Sequence, residues 1–528
     1  MRGIFSAPAY GDGIKKKEQV EFGGLDMRQS AANGAISGMT NISSADHPVI
    51  SPRRKRRLIT TLAVPNGIYG YDGIIYVDGT SLYDGGVEYG TVQNSYKRFC
   101  ALGSNIMILP DKVVYNRINH TLSPVELIYT GTAGQISFSD GTYAGVAAEG
   151  CCLVTSGAAF GFSVGDAVTI SGCTSLPDNN KSVIIREISD NGRKITCYEN
   201  TFTVGTEAGA VTVSRTMPDL DFICENENRL WGCKGDTVYA CKLGDPFNWN
   251  VFDGLSTDSY AVDVGSPGDF TGCVSYKGYP CFFKEKYVYK MYGSKPSAFQ
   301  LMGSASTGIL EGSSFSPAVA GETLFYLSRS GIVSYTGGTP RSRSGIFGNK
   351  KFSEAVGGAD GRVYYVSVLN GADEWKLYTY DTEKGIWCCE DDLHALGFAY
   401  YKGLYCLDSF GRLWFFDGTG DAPSGSTAEE DFISEVVFAP FYEDTLNRKG
   451  LSRLQLRVQL EDSASMRLYI SYDGGEYTLK RTESSSGKKM LNIPLVPRRC
   501  DFWNIKIVLS GNWRILGLTR EFYTGSEI

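Results

Sequence analysis

Residues able to do acid–base or metal chemistry are few in this chain and widely spaced. Its three histidines are His47, His120 and His394, and no H-E-x-x-H or H-x-x-x-H pattern joins them. A zinc site built on histidine needs such short spacings, so the sequence predicts no metal centre. His394 follows Asp391-Asp392, but a general base also needs a partner within hydrogen-bond reach. We interpret His394 as a surface residue at the edge of a strand.

Asp-Gly steps recur along the chain and are the next candidates, either as calcium loops or as acid–base pairs. They lack the EF-hand register D-x-[DN]-x-[DN]-G, whereas Asp-Gly readily adopts the positive φ angles of hairpin turns. The sequence also has no P-loop and no G-x-S-x-G elbow. We therefore expect turns, no bound cofactor, no catalytic residue and a chain that is not an enzyme. Examples of the steps are Asp72-Gly73, Asp78-Gly79, Asp84-Gly85, Asp140-Gly141, Asp360-Gly361 and Asp417-Gly418.

Aromatic side chains are candidates for stacking on sugar rings. A propeller that cleaves glycosides needs converging carboxylates, and the sequence repeats no Ser-x-Asp-x-Gly-x-x-Trp box. Buried aromatic residues more often pack against one another between strands. We therefore expect packing for Trp231, Trp375, Trp387, Trp414 and Phe283.

The 14 cysteines form no C-x-x-C pair. They lie in apolar strand-like runs or as the neighbours Cys151-Cys152 and Cys388-Cys389, which is typical of reduced thiols that fill a core. The sequence has no apolar run near the roughly 20 residues of a membrane span, and its first residues predict no signal peptide. We expect a protein that folds in a cytoplasm, where disulfides are rare.

The elements that carry these residues are predicted by a module that recurs about seven times between residues 67 and 418. Each copy is an apolar strand, a turn, an aromatic-rich strand, a second turn and a strand ending on Tyr or Trp, as in residues 67–84 and 395–416. Later copies begin roughly 35–50 residues apart, the period of a four-stranded propeller blade. The contents of glycine and tyrosine, 63 and 32 residues, suit short turns and half-buried strands. The sequence predicts an all-β chain with a six- to seven-bladed β-propeller.

Domain boundaries follow from where this series is interrupted or ends. Between the second and third copies lies a stretch with strand signals of its own, which predicts a small β-barrel inserted on a loop. Strictly alternating strands follow a Gly/Ser/Ala-rich linker near the C-terminus and predict a sandwich-like lobe. The predicted parts are an extended N-terminal arm at 1–60, propeller at 61–128, the inserted small β-barrel at 129–216, propeller again at 217–420 and a C-terminal β-sandwich-like domain at 432–528.

Charge limits the function classes. The net charge is −7 and the isoelectric point about 5.3, which argues against a groove that grips nucleic acid through clustered Lys and Arg. An acidic surface instead suits a wall that DNA passes without sticking. For the basic run at residues 53–57, at the end of the arm, the alternatives are a nucleic-acid or localisation patch and a solvated or partner-facing cluster. We favour the second, because the rest of the chain is acidic.

Two segments of the arm, residues 21–28 and 38–54, resemble the start of phage tail proteins of the nozzle, or tail tubular protein B, type. In that family a Gly-Gly-Leu element precedes an Asn-(Leu/Ile)-Ser segment and a Pro-x-x-Ser-Pro-Arg end. Residues 512–527 also resemble the closing segment of related phage proteins. The matching arm residues are Gly23, Gly24, Leu25, Asn41, Ile42, Ser43, Pro48, Ser51, Pro52 and Arg53.

The resemblance implies a structural virion protein of a phage tail. Such a subunit would form a ring, expected to have six copies, below the portal and adaptor, and would enclose the channel that retains packaged DNA and conducts it at ejection. The implied partners are other copies of itself, the head–tail connector and portal, tail fibres or other tail proteins, and double-stranded DNA passing through the lumen. The resemblance carries no catalytic residue. It marks a candidate assembly arm at Gly23, Gly24, Leu25, Asn41, Pro48, Pro52 and Arg53.

Two alternatives stay open, because a propeller is shared by many functions. One is a glycan-binding propeller adhesin or lectin, and the other is a propeller glycosidase. The arm favours the phage-tail interpretation over both alternatives. A secreted lectin is expected to begin with a signal peptide and has no use for an arm with a basic end.

Overall fold

The computed structural model describes residues 14–32, 34–198, 202–416, 423–484 and 486–524. In these residues regular structure is almost entirely β-strand, and no helix is long and apolar enough to cross a membrane. The chain divides into two compact units, one of Met1–Asp72 with Leu310–Ile528 and one of Gly73–Ile309. The described helices are short 3₁₀ turns at Pro177–Asn179, Asp190–Gly192, Pro296–Ala298 and Gly345–Phe347.

The N-terminal segment is built into the first unit strand by strand. Its apolar side chains, such as Phe22, Leu25 and Ile36, belong to the main core cluster of that unit. The sequence predicts an extended arm at 1–60. The described residues between 14 and 60 are instead packed into this unit, and residues 1–13 lie outside the described part. The strands of this segment and its continuation are β1 (Lys15–Gln19), β2 (Ile36–Thr40), β3 (Ile42–Ser43), β4 (Ser51–Pro52), β5 (Arg57–Thr61) and β6 (Pro65–Gly70).

The second unit begins with antiparallel strands of two separate sheets, one containing Ile74–Thr91 and one containing Arg98–Pro124, and within each sheet a strand pairs with the next along the chain. Tight turns join them, and Gly79 and Gly85 have φ angles of 60° and 59°. Those angles are what the interpretation of these Asp-Gly steps as turns requires. The prediction was wrong for Asp140-Gly141, which lies inside the strand Ile136–Tyr143 at a break in its register, and Asp417-Gly418 lies outside the described residues. The strands are β7 (Ile74–Asp78), β8 (Ser81–Asp84), β9 (Val87–Thr91), β10 (Arg98–Leu102), β11 (Asn105–Leu109), β12 (Val113–Asn116) and β13 (Thr121–Pro124).

An eight-stranded antiparallel sheet with its own core follows, where the barrel was predicted at 129–216. Apolar residues such as Phe138, Leu153 and Ile170 fill that core. The sheet order is β14-β21-β17-β18-β19-β16-β15-β20. Its strands are β14 (Leu127–Gly131), β15 (Ile136–Tyr143), β16 (Val146–Thr155), β17 (Ala167–Ser171), β18 (Ser182–Ser189), β19 (Lys194–Cys197), β20 (Gly205–Thr206) and β21 (Val211–Arg215).

Two further four-stranded meanders complete the second unit. Trp231 and Phe282, from neighbouring meanders, share one core cluster. Four-stranded meanders of this kind are the building unit of a propeller. The strands are β22 (Phe222–Asn226), β23 (Arg229–Lys234), β24 (Thr237–Ala240), β25 (Tyr260–Asp263), β26 (Gly272–Tyr276), β27 (Tyr279–Lys284), β28 (Tyr287–Tyr292) and β29 (Gln300–Ala305).

The first unit has two more four-stranded meanders and a third sheet in which one strand comes from the N-terminal segment. In its last meander the order is β38-β39-β40-β5-β41, so the N-terminal strand β5 supplies the outer strand beside β40. The meander strands of this unit are β30 (Ala318–Ala320), β31 (Thr323–Ser328), β32 (Gly331–Tyr335), β33 (Arg341–Ser342), β34 (Phe352–Ala359), β35 (Val363–Asn370), β36 (Trp375–Asp381), β37 (Ile386–Cys389), β38 (Ala395–Tyr400), β39 (Leu404–Asp408), β40 (Arg412–Phe416) and β41 (Thr427–Ala428).

A β-sandwich of two sheets ends the chain. One sheet has the order β1-β49-β43-β46 and the other β2-β42-β48-β44-β45, so the N-terminal segment gives one strand to each. Side chains alternate between buried and part-buried along Trp503–Ser510 and most of Trp513–Thr524, and buried side chains from both sheets form one core. The strands are β42 (Ile433–Phe438), β43 (Lys449–Leu460), β44 (Ser465–Tyr472), β45 (Thr478–Glu483), β46 (Gly487–Pro494), β47 (Arg499–Cys500), β48 (Trp503–Ser510) and β49 (Trp513–Thr524).

Candidate functional site

The residues that carry the family resemblance converge on contacts within the first unit. Asn41 adopts a left-handed conformation with a φ of 58°, which asparagine tolerates better than most residues. Its side-chain amide donates to the carbonyl of Ile433 at 2.8 Å and accepts from Nε of Arg53 at 2.8 Å. Asn41 thereby ties the N-terminal segment to the first strand of the sandwich.

Gly24 and Leu25 fasten the same segment to strand β37. The backbone N–H of Leu25 donates to the carbonyl of Trp387 at 2.7 Å, and the Leu25 side chain is buried. A Cβ atom on Gly24 would lie 2.5 Å from that carbonyl oxygen, whereas one on the exposed Gly23 would meet nothing within 4 Å. The Gly-Gly pair thus contains one glycine that the packing requires and one that it does not.

Replacing Gly24 by alanine is therefore expected to destabilise the chain by roughly 1–3 kcal/mol, because backbone must move to admit the methyl group. Gly23→Ala is the matched control and is expected to stay within about 0.5 kcal/mol of the parent. Urea denaturation of both variants measures the difference. Equal stabilities for the two variants would contradict the close approach of Gly24 to β37.

Pro48 and Pro52 have structural roles within the same segment. The carbonyl of Pro48 accepts the backbone N–H of Phe22 at 3.0 Å, and Pro52 lies opposite Ile42 in the short β3–β4 pair. The predicted assembly role of these residues stays a prediction, because the structure contains a single chain.

Two arginines of the basic run form a buried ion cluster, although the sequence suggested a solvated or partner-facing patch. Arg53 holds both oxygens of Glu429, at 2.6 and 2.8 Å. Arg56 reaches Asp391 and Glu390, each at 2.7 Å. The cluster joins the N-terminal segment, the loop after β37 and the segment after β41. The interpretation of the basic run as solvated or partner-facing was incorrect for these two residues, because their carboxylate partners lie more than 300 positions away in the sequence.

Burial and pairing have opposing effects on the pKa values in this ion cluster. For Asp391 and Glu429, burial alone would raise the carboxyl pKa, but Arg56 and Arg53 outweigh it and lower the pKa. For Glu390, burial dominates and raises the pKa despite the two arginines. The side chain of Glu390 is only 8% exposed, against 17% for Asp391 and 18% for Glu429, which explains the difference.

An open groove of about 1000 Å³ lies beside the ion cluster. Its walls come from the start of β36, the loop between β37 and β38, the turn between β39 and β40, and the segment around β41. We call it the aromatic groove. The side chains that argue for its chemistry are Trp375, His394, Phe410, Arg412, Trp414 and Glu430.

Two ring stacks stand in this aromatic groove. The rings of Trp375 and His394 lie 3.7 Å apart and nearly parallel, at 8°. The guanidinium of Arg412 lies 5.0 Å from the ring centre of Phe410 and 5.2 Å from that of Trp414, within cation–π range. Both stacks therefore combine aromatic surface with a nitrogen-bearing group.

Buried Asp408 organises the second stack. Its carboxylate accepts the side-chain N–H groups of Arg412 and Trp414 at 2.7 and 2.9 Å, and the backbone N–H groups of Phe410 and Arg412 at 2.9 Å each. The turn is thus fixed, yet Phe410 at its tip is 75% exposed. A rigid turn that presents a bare phenyl ring to solvent is unusual packing for an ordinary hairpin.

The other residues named for chemistry are dispersed. Of the five aromatic residues expected to pack, Trp231, Trp387, Trp414 and Phe283 are buried, whereas Trp375 is part-exposed in the aromatic groove. His120 stacks on Tyr89 and bonds Tyr115, far along the chain from His394. Burial lowers the pKa of His394 and so favours the neutral form of its ring. Among the described residues no group of three His, Cys, Asp or Glu side chains is placed to hold a metal ion.

Sequence reasoning missed the aromatic groove because its residues come from four separate turns. A signal was present in Phe410, a large apolar residue that precedes Gly411 in the turn between two strands. The pairing of Trp375 with His394, 19 positions later, has no periodic signature that a single sequence reveals.

The chain matches no protein-family model and no curated protein. Solved structures similar to it include an exo-β-1,3-galactanase of Phanerochaete chrysosporium, with 11% identity, a TM-score of 0.22, and coverage of 56% of this chain and 94% of that one. An arabinoxylan arabinofuranohydrolase of glycoside hydrolase family 43 from Bacillus subtilis has 10% identity, a TM-score of 0.15, and coverage of 88% and 96%. The endosialidase of phage phi92 has 9% identity, a TM-score of 0.17, and coverage of 72% and 56%.

These similarities bear on two sequence predictions. The predicted class, an all-β chain with a β-propeller, is confirmed. The prediction that the chain is not an enzyme was wrong, because the similar structures include glycoside hydrolases. At such identities and TM-scores the likeness concerns the fold, and the substrates in those names belong to those proteins.

Proposed function

We propose that the chain is a structural subunit of a phage tail, of the nozzle type, which surrounds the path of the DNA below the portal and adaptor. The observation that carries the proposal is that several of the residues matching the nozzle pattern lock the N-terminal segment into the fold. Gly24 and Leu25 hold it to β37, Asn41 holds it to β42, and Arg53 holds it to Glu429 in the segment after β41. The pattern thus corresponds to an architectural requirement of this chain.

Such locking suits a subunit under mechanical load. The N-terminal segment supplies β5 to the last meander and supplies β1 and β2 to the two sandwich sheets. A strand held by a ladder of hydrogen bonds on its neighbour separates only when many bonds break together. The net charge of −7, repeated around a ring, would also disfavour adhesion of DNA to the wall.

Electron microscopy tests the proposal. The purified chain, alone or mixed with the portal and adaptor of the same virion, is expected to form rings with a central pore. Virions that lack the chain are expected to lose packaged DNA. A chain that stays monomeric under both conditions, together with virions that keep their DNA, would contradict the tail role.

A second candidate function is recognition of a saccharide, and the aromatic groove favours it. The exposed ring of Phe410 and the part-exposed ring of Trp375, beside carboxylates, form the kind of surface that binds sugar rings through apolar faces and hydroxyl hydrogen bonds. This candidate is compatible with the tail role, since a virion subunit can carry a binding site. Binding of any oligosaccharide to the purified chain tests it.

A further inference from the structure

We infer that the aromatic groove is a binding site for a neutral or amino-bearing pyranose oligosaccharide, held between the Trp375–His394 stack and the Phe410–Arg412–Trp414 stack. The inference rests on the second candidate function and names its site and ligand class. It is independent of the tail role.

The shape of the groove suits a short oligosaccharide. Its volume of about 1000 Å³ lies at the upper end of the range of small-molecule sites, roughly 300–1,000 Å³. Trp375 is part-exposed and Phe410 is 75% exposed, so both offer apolar surface to a ligand. The C–H groups on one face of a pyranose ring are apolar and pack on such surfaces, whereas its hydroxyl groups seek polar partners.

The aromatic side chains of the groove are held in fixed positions, which supports a role in binding. Asp408 fixes the turn that carries Phe410 through four hydrogen bonds. Trp375 is held in place by the ring of His394 at 3.7 Å. Rigid aromatic groups lose little conformational entropy when a ligand binds, which is the advantage of a preorganised site.

The charges in the groove select the ligand class. Asp391 is neutralised by Arg56, Glu429 by Arg53, and Arg412 by Asp408. The remaining charged side chains that line the groove are the carboxylates of Glu374, Asp392 and Glu430 and the ammonium of Lys376. This excess of negative charge repels sialic and uronic acids and favours neutral or amino sugars, whose hydroxyl and amino groups donate to carboxylates.

The experiment is calorimetric titration of the full chain with cellotetraose, β-1,3-galactotriose, chitotetraose and its deacetylated form. An α-2,8-linked sialic acid tetramer serves as the anionic probe. We expect at least one of the first four to bind and the sialic acid tetramer not to bind. Phe410→Ala and Trp375→Ala are each expected to weaken binding roughly tenfold or more, while Trp375→Phe keeps most of it.

Phe252→Ala is the matched control, because Phe252 is also an exposed phenylalanine, at 61%, and does not line this groove. It is expected to leave binding unchanged. Binding that all the groove variants retain would overturn the site while leaving the second candidate function standing. Preferential binding of the sialic acid tetramer would overturn the ligand class, and binding of none of the five probes would overturn the inference and the second candidate together.

Far-ultraviolet circular dichroism and thermal melts of each variant accompany the titrations. The exposed position of Phe410 predicts an unchanged melt for Phe410→Ala, so its loss of binding reports on the site itself. If only variants with lowered melting temperatures lost binding, the inference would be contradicted.

Discussion

Arg56→Ala is expected to lower the free energy of unfolding by about 3–5 kcal/mol, the usual cost of leaving buried charges without their partner. Arg56 is almost fully buried, and its guanidinium reaches Glu390 and Asp391 at 2.7 Å each. Without it, buried Glu390 loses its ion-pair partner, and Asp391 keeps only Arg53, at 3.4 Å. Urea denaturation followed by tryptophan fluorescence measures the loss.

Lys55→Ala is the matched control one position earlier. Lys55 pairs with Asp431 at 2.5 Å, but both side chains are well exposed, and such surface pairs contribute about 0–1 kcal/mol. A loss for Lys55→Ala as large as that for Arg56→Ala would show that net charge of the basic run matters and that burial does not.

The pH dependence of Arg56→Ala follows from the carboxyl pKa values. The pKa of Asp391 and that of Glu429 are lowered in the fold, so their stabilisation exists above their unfolded-state pKa values and disappears as pH falls through the folded-state values. The pKa of Glu390 is raised in the fold, so its contribution to stability is present at low pH and is lost as pH rises through its folded-state pKa. We expect the gap between parent and variant to be widest near neutral pH and to narrow in acid, once Asp391 is protonated.

Glu207→Gln is the second substitution with a large expected effect, and it should act on the inserted sheet alone. The Glu207 side chain is buried and accepts backbone N–H groups of Thr174, Ser175, Leu176 and Gly209 at 2.8–3.0 Å. Burial would raise its carboxyl pKa, but these donors outweigh it and hold the pKa well below its usual value. A neutral amide replaces one strong acceptor by a donor, so part of this arrangement must break.

Hydrogen exchange by mass spectrometry measures that effect. We expect Glu207→Gln to raise exchange rates across residues 167–213 at neutral pH and to leave the sandwich unchanged, because the inserted sheet has its own core. The parent is expected to approach the variant only in strong acid, where Glu207 itself is protonated. Glu187→Gln, at an exposed position of β18, is the control. An effect that spread through residues 432–524 would contradict a local role.

Local features of this fold could be predicted from the sequence because they depend on nearby residues. The alternation in residues 454–460 predicts a strand with one buried face, and β43 has that pattern. The Asn-Gly step at Asn191-Gly192 predicts the turn between β18 and β19, where it lies. The recurring module predicts four-stranded meanders, and period-two patterning is enough to specify them.

Pairings between distant residues could not be predicted. Nothing near Arg57–Thr61 indicates that its partner is Arg412–Phe416, and nothing near Arg56 indicates the carboxylates at Glu390 and Asp391. A run of like charges is easily interpreted as solvent-exposed, because the oppositely charged residues that pair with it lie elsewhere in the chain. The aromatic groove could not be predicted from the sequence for the same reason, since its rings come from separate segments that are brought together only in the fold.

The pairing of β1 with β49 has a consequence for synthesis. Strand β1 leaves the ribosome long before its partner strand, which includes Leu518 and Phe522, and the contact of Arg520 with Gln19 spans 501 positions. At a translation rate of roughly 5–20 residues per second, β1 must wait about half a minute or longer for a partner. A chain that terminates early therefore leaves an unpaired sheet edge, which makes incomplete products open to proteolysis and aggregation.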